Sequence, residues 1–227
     1  PANANWFLFF SGRAILCSCR PANANWHLYR PGMRWRRVAH EARAVLETAD
    51  RVAVGFALHD LELLATDDEH TLVGHLGPDL LDPDWGPGHD AEALRRMTAR
   101  AGHPLGLVLL EQRVMAGLGN LYRNDICFLL GLTPWVPIRD VPDLPGVIDL
   151  SRRLLSSNKD RPEQTTTGSL AAGEAHWVFE RPGRPCRRCG TRIRTADQGD
   201  DHRARITYWC PRCQTGPSPR PVRRATG

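Results

Sequence analysis

His176-Trp-Val-Phe-Glu-Arg-Pro-Gly-Arg-Pro-Cys186-Arg-Arg-Cys189-Gly190 and, further along, Arg205-Ile-Thr-Tyr-Trp-Cys210-Pro-Arg-Cys213-Gln214 decide how this chain folds. Two CxxC steps stand twenty residues apart, the spacing at which each turn lends two thiolates to one tetrahedral ion. The set Cys186, Cys189, Cys210 and Cys213 therefore predicts a structural Zn2+ site, closed because four protein ligands leave no position for a reacting water. A redox CxxC pair is the other reading. Ile206-Thr-Tyr-Trp209 is β-prone and supplies one strand of a hairpin that ends at the metal. Seven cysteines, an odd number with close pairing, argue against a secreted disulfide framework and for a reducing compartment. Cys127 lies in an apolar helical run and reads as a small buried residue.

The same end of the chain is basic. From Arg181 onward twelve arginines face three aspartates, a balance of +9 against +5 for the whole chain, so residues 1–180 are net −4. Concentrated positive charge suits a polyanion such as DNA or RNA, since neutralising phosphates releases counterions. A solubilising Arg-rich face is the alternative. Arg187, Arg188 and Arg212 flank the cysteines and are expected to point charge outward. No stretch approaches twenty uncharged apolar residues, which excludes a transmembrane helix and leads to the expectation of a soluble, cytoplasmic protein.

Upstream, Leu105–Arg113 and Leu121–Leu130 carry apolar residues at helical spacing, joined by Ala116-Gly117-Leu118-Gly119-Asn120. Glycines at 117 and 119 let backbone amides approach a phosphate, and Asn120 at a helix start is placed to cap the helix and meet a phosphate oxygen. A helix starts at Asp90 after the Gly86-Pro87-Gly88 break, another is expected over Leu144 to Ser156, and the polar 158–173 segment reads as an exposed loop. Residues 7–66 read as short β segments around Phe7–Phe10, Ala14–Leu16, Ala44–Leu46 and Val52–Phe56. The hexapeptide PANANW occurs at Pro1–Trp6 and again at Pro21–Trp26, a local repeat without a longer period. The expected architecture is α+β: a β-rich domain (an incomplete β-sandwich) over 1–85, a helix-two-turn-helix domain over 86–172, a Cys₄ β-hairpin finger over 173–215 and a disordered Pro/Arg-rich tail over 216–227.

The two cysteine-bearing stretches resemble the C-terminal zinc finger of the Fpg/Nei DNA glycosylases, and Leu110-Glu-Gln-Arg-Val-Met-Ala-Gly-Leu-Gly-Asn-Leu-Tyr-Arg-Asn-Asp125 is similar to the family's helix-two-turn-helix. His75-Leu-Gly-Pro-Asp-Leu80 and Trp26-His-Leu-Tyr-Arg-Pro-Gly32 also match family segments, so the resemblance runs from residue 7 to residue 214. It implies a monomeric, nucleoid-associated bacterial repair protein acting on duplex DNA with damaged bases or abasic sites. Arg205, five residues before the third cysteine, then grips the phosphates flanking the damaged nucleotide, together with Asn120 and the Gly117/Gly119 turn.

Family enzymes flip the damaged nucleotide out and attack its sugar with an N-terminal proline amine, forming a Schiff base that leads to strand cleavage. A glutamate after that proline serves as acid/base, and a hairpin lysine assists. Here Ala2 follows Pro1 and Asn5 takes the lysine's place, so the resemblance implies that the catalytic Pro-Glu is missing or altered. Schiff-base amines are limited to the N terminus at Pro1 and Lys159, the sole lysine. The His-Ser-His strand of the family reads Cys17-Ser18-Cys19. Three functions stay open: a Nei-like glycosylase/AP lyase for oxidised bases, a catalytically inactive zinc-dependent binder of damaged or abasic DNA, and a generic zinc-ribbon RNA binder.

Overall fold

A computed structural model describes residues 5–10, 13–18, 25–58, 60–65, 68–161, 163–200 and 204–219. Pro1 and residues 220–227 of the expected tail lie outside the described residues. The chain is α+β and divides into two compact units, residues 1–75 and 76–227.

The first unit contains two antiparallel three-stranded sheets. One has the order β1 (Asn5–Phe10), β2 (Arg13–Ser18), β6 (Asp60–Ala65). The other runs β3 (Asn25–Tyr29), β5 (Val52–Phe56), β4 (Ala42–Glu47). All four expected β segments fall inside these strands; β3 and β6 are additional. Alternation along β5 sends Val52, Val54 and Phe56 to one face, where they bury against Tyr29, Trp35 and Ala42. On the opposite face Gly55 keeps space for Leu58: a Cβ built there would lie 2.4 Å from the leucine Cδ1. The unit also contains a short helix, α1 (Glu69–Val73).

Helices dominate the second unit: α2 (Pro87–Thr98), α3 (Leu105–Val108), α4 (Asn120–Leu129) and α5 (Leu144–Ser156). Proline at the first position of α2 fits an end whose N–H would be unpaired anyway, and the Asp143 carboxylate caps α5 by accepting the Gly146 N–H at 2.9 Å. Ala93 and Met97 of α2, Tyr122 and Ile126 of α4, and Val147, Ile148 and Leu155 of α5 share one apolar core with Leu105 and Val108. Segment 76–80 joins this core, with Leu80 fully buried and the Ala116 N–H donating to the Pro78 carbonyl at 2.9 Å. The helical unit therefore begins at Leu76, ahead of the Gly-Pro-Gly break at which the sequence changes character.

The expected Leu105–Arg113 helix is shorter than its apolar spacing suggested. Its C-terminal carbonyls are claimed by other segments: Gln112 O accepts the Gly77 N–H at 2.8 Å and Arg113 O accepts Arg96 at 2.6 Å. Helical hydrogen bonding has already ended at Leu109, whose N–H donates to Leu105 O, and the chain proceeds through turns such as Leu110 N–H to Leu107 O.

Most of segment 158–173 is exposed as expected, with three exceptions. Asn158, Thr165 and Thr166 are buried rather than looped into solvent, because the Asn158 side chain donates to Leu154 O and Thr165 O and accepts the Thr165 N–H.

Candidate nucleic-acid interface and metal centre

The finger is a hairpin of β7 (Arg194–Gln198) and β8 (Arg205–Trp209), with Arg194 opposite Trp209 and Gln198 opposite Arg205. At its Trp209 end the four predicted cysteines converge, their sulfurs all within 4.8 Å of one another. Cys186 and Cys213 Sγ are 3.8 Å apart and Cys189 and Cys210 Sγ 3.5 Å, near the roughly 3.8 Å edge of a tetrahedron of thiolates bonded at about 2.3 Å. A disulfide would need about 2.05 Å, so this donor set fits one metal ion. Gly190 turns the first knuckle at φ 73°. Gln214 closes the second: its Oε1 accepts the Cys210 N–H at 2.8 Å, and its Nε2 donates to Leu132 O. Hydrogen bonds from Thr191 draw the Cys189 thiol down to about 6, whereas burial pushes Cys210 up. A bound cation reverses the second effect, since coordinating thiols lose their protons.

The arginines around this site are less outward-facing than the sequence suggested. Arg188 lies over the Phe128 and Trp177 rings, 4.5 and 5.3 Å from their centroids, and Arg187 donates to His176 O and Gly173 O. A long cation beside an aromatic face or open carbonyls gains more by covering them than by extending into water. These side chains remain exposed, so charge and packing are served together.

At the other end of the hairpin, α4 and β8 meet. Asn120 Nδ2 donates to Ile206 O at 3.1 Å, and Asn124 Oδ1 accepts the Tyr208 N–H at 2.7 Å. Asn120 and Arg205, widely separated in sequence, are thus brought to one edge of the finger. The helix cap is Gly119, not Asn120, and Gly119 is extended at φ −115°. Asn120 gives one hydrogen of its amide to β8 instead, which fixes the hairpin to the helix start and leaves the second N–H for another acceptor. Gly117 has φ 111° and needs glycine, but its N–H donates to Gln112 Oε1 at 2.9 Å, so its part is to shape the turn. Arg205 is half-buried.

The sequence reading passed over a polar triplet. Arg123, Asn124 and Asp125 are fully buried because α4 is enclosed on both sides, with Tyr122 and Ile126 in the helical core and Phe128 in the finger core beside Val178, Ile193 and Tyr208. Asp125 accepts the N–H groups of Trp177, Val178 and Phe179 at 2.9 to 3.0 Å and the Thr166 hydroxyl. That carboxylate seats the segment leading into the first knuckle and draws Thr166 inward. Three consecutive polar residues inside an apolar helix were the available signal.

No family model matches the chain. The chain is 50% identical over 196 residues to the probable endonuclease 8 2 of Streptomyces coelicolor, covering 85% of this chain and 69% of that protein. It is 47% identical over 176 residues to the DNA-(apurinic or apyrimidinic site) lyase Nei2 of Mycolicibacterium smegmatis, covering 78% of this chain and 67% of the relative. The chain belongs to the Fpg/Nei family. Its fold agrees: a Lactococcus lactis Fpg in complex with abasic-site DNA superimposes with TM-score 0.65 at 21% identity, covering 90% of this chain and 76% of that one. A MutM in complex with carbocyclic 8-oxo-G DNA gives 0.70 at 19% identity, covering 94% and 80%. Among the described residues, no helix is long and apolar enough to cross a membrane.

Proposed function

We propose that this chain is a Nei-like DNA glycosylase/AP lyase of base-excision repair, acting as a monomer on oxidised bases and abasic sites in duplex DNA of a bacterial nucleoid. The observation that carries the reading is the meeting of Asn120 and the Arg205–Ile206 strand in a chain half identical to a probable endonuclease 8. A side-chain amide, a guanidinium and the N–H groups opening a ten-residue helix point to phosphate recognition, which sets position on a duplex without reading sequence.

The ion is Zn2+. Four thiolates are soft donors, and a closed tetrahedral set suits a structural ion rather than a catalytic one. Cys186, Cys189, Cys210 and Cys213 would hold it, and its contribution is to lock the knuckles on which β8 ends.

Glycosylase/lyase chemistry requires an amine to displace the base at the sugar and hold the product as a Schiff base. Lys159 is exposed in the turn after α5, away from the α4–β8 junction in sequence and element, and is not proposed as that amine. Borohydride trapping on duplex DNA bearing an abasic site tests this, with gel-shift binding in parallel. A covalent adduct that persists in Lys159→Ala is expected for the lyase; binding without trapping would establish the inactive binder in its place. Arg205→Ala is expected to weaken duplex binding by about tenfold and reduce the salt-dependence slope by about one. Unchanged binding to duplex and single-stranded RNA alike would favour the generic RNA-binding reading.

A further inference from the structure

Arg123 is a fully buried guanidinium for which the described residues supply neutral acceptors and no carboxylate. Its NH2 donates to Ile206 O at 3.2 Å and to Thr207 Oγ1 at 2.6 Å; its NH1 reaches Gln198 Oε1 at 3.3 Å; its Nε has no partner among the described residues. Thr207 passes the contact on, its hydroxyl donating to Arg205 O at 3.1 Å. Gln198, opposite Arg205 on β7, is buried and anchored in turn by its Nε2 on Pro134 O at 2.8 Å. One rigid fork therefore holds both strands of the hairpin at the level of Arg205, and Asn120 shares the Ile206 carbonyl with it. A planar guanidinium is the side chain suited to this, because its donors leave in fixed directions.

The arrangement has an electrostatic side. Burial draws the guanidinium down to about 10, so it remains charged at neutral pH, and the nearby Arg205 adds like charge. A buried cation without a counterion is unfavourable. A phosphate meeting Arg205 and Asn120 would relieve both charges.

We infer that Arg123 is a positioning residue for DNA binding, fixing the β8 backbone beneath Arg205 and Asn120 so that both meet one phosphate. This rests on the function proposed above.

The test uses the full zinc-loaded chain and a labelled duplex with a single abasic-site analogue, comparing Arg123→Met, Arg123→Lys, Arg205→Ala and the double variant Arg123→Met/Arg205→Ala. Methionine keeps apolar volume without the fork; lysine keeps the charge without the fork. Arg123→Met is expected to melt no lower than the unaltered chain yet bind about tenfold more weakly, with Arg123→Lys failing to rescue. The double variant is expected to lose clearly less than the product of the two single losses, since one of the two groups that the fork supports is already gone and only Asn120 is left to position. Unchanged affinity for Arg123→Met, rescue by lysine, or losses that multiply in the double variant would each overturn the inference. Should Arg123→Met not fold, Thr207→Val cuts the relay to the Arg205 carbonyl at equal volume: weaker binding supports the inference and unchanged binding refutes it. If the unaltered chain itself does not bind the duplex, the proposed function fails before Arg123 is in question.

Discussion

The two ends of the finger hairpin are secured by different chemistry. At Trp209 four thiolates surround one position and the knuckles close on Gly190 and Gln214. At Arg205 there is no metal-ligating cluster among the described residues, and the strand is held by Asn120, Arg123 and Asn124 from a neighbouring helix. Metal coordination is strong and needs few residues close in sequence. The polar junction is individually weak in each bond and depends on α4 being packed beside the hairpin. The metal end therefore governs whether the finger exists, and the α4 end governs where its arginine sits.

Breaking the metal end should have the largest effect. Chelation, or Cys210→Ser, removes a binding free energy of about 10 kcal/mol or more that is coupled to folding. Loss of the finger's cooperative melting with release of one zinc per chain is expected, while α2 and α5 keep their helical signal. An unchanged melt after complete chelation would rule out a metal role.

The contacts between α4 and the segment leading into the first knuckle come next. Asp125→Ala strands three buried N–H groups, those of Trp177, Val178 and Phe179, and should cost about 3 kcal/mol in urea denaturation. Phe128→Ala removes the α4 ring from the finger core and should cost about 3 to 5 kcal/mol. A clearly smaller loss for both would mean that the metal alone holds the finger to the helix.

A site remote from both ends sharpens the contrast. The Arg100 guanidinium holds the Glu111 carboxyl below its ordinary range. A lowered folded value means this contribution is present above the unfolded value near 4.5 and is lost as pH falls through the folded one. The pair is partly exposed, so Glu111→Gln should cost under about 1 kcal/mol at pH 7, and the difference from the unaltered chain should vanish in acid. DNA affinity should not change.

Much of this was legible in the sequence. The CxxC spacing singled out the four cysteines whose sulfurs the fold gathers within 4.8 Å of one another, because metal geometry imposes a local pattern on the residues that would carry it. Short apolar clusters located four of the strands, and the Leu144–Ser156 helix was expected where α5 forms. The Gly-Leu-Gly-Asn turn was readable too, but not the use of its groups: the Asn120 amide goes to β8 and the Gly117 N–H to Gln112.

What tertiary structure alone decided has a common cause. Arg123 and Asp125 look like the polar residues of a solvated helix face until helices pack on one side of α4 and the finger on the other. Past the end of α3, Gly77 and Arg96 take the Gln112 and Arg113 carbonyls from elsewhere in the unit, so the apolar spacing there does not continue as a helix. The burial of Asn158 and Thr165 likewise depends on hydrogen bonds across a turn that polar composition does not reveal. Sequence by itself determined the four-cysteine cluster, the element types and the family, because local spacing and short-range patterning encode them. Only the fold decided which polar groups are buried and which carbonyls they meet, because those partners lie far apart in the chain and come together only when α4 is enclosed.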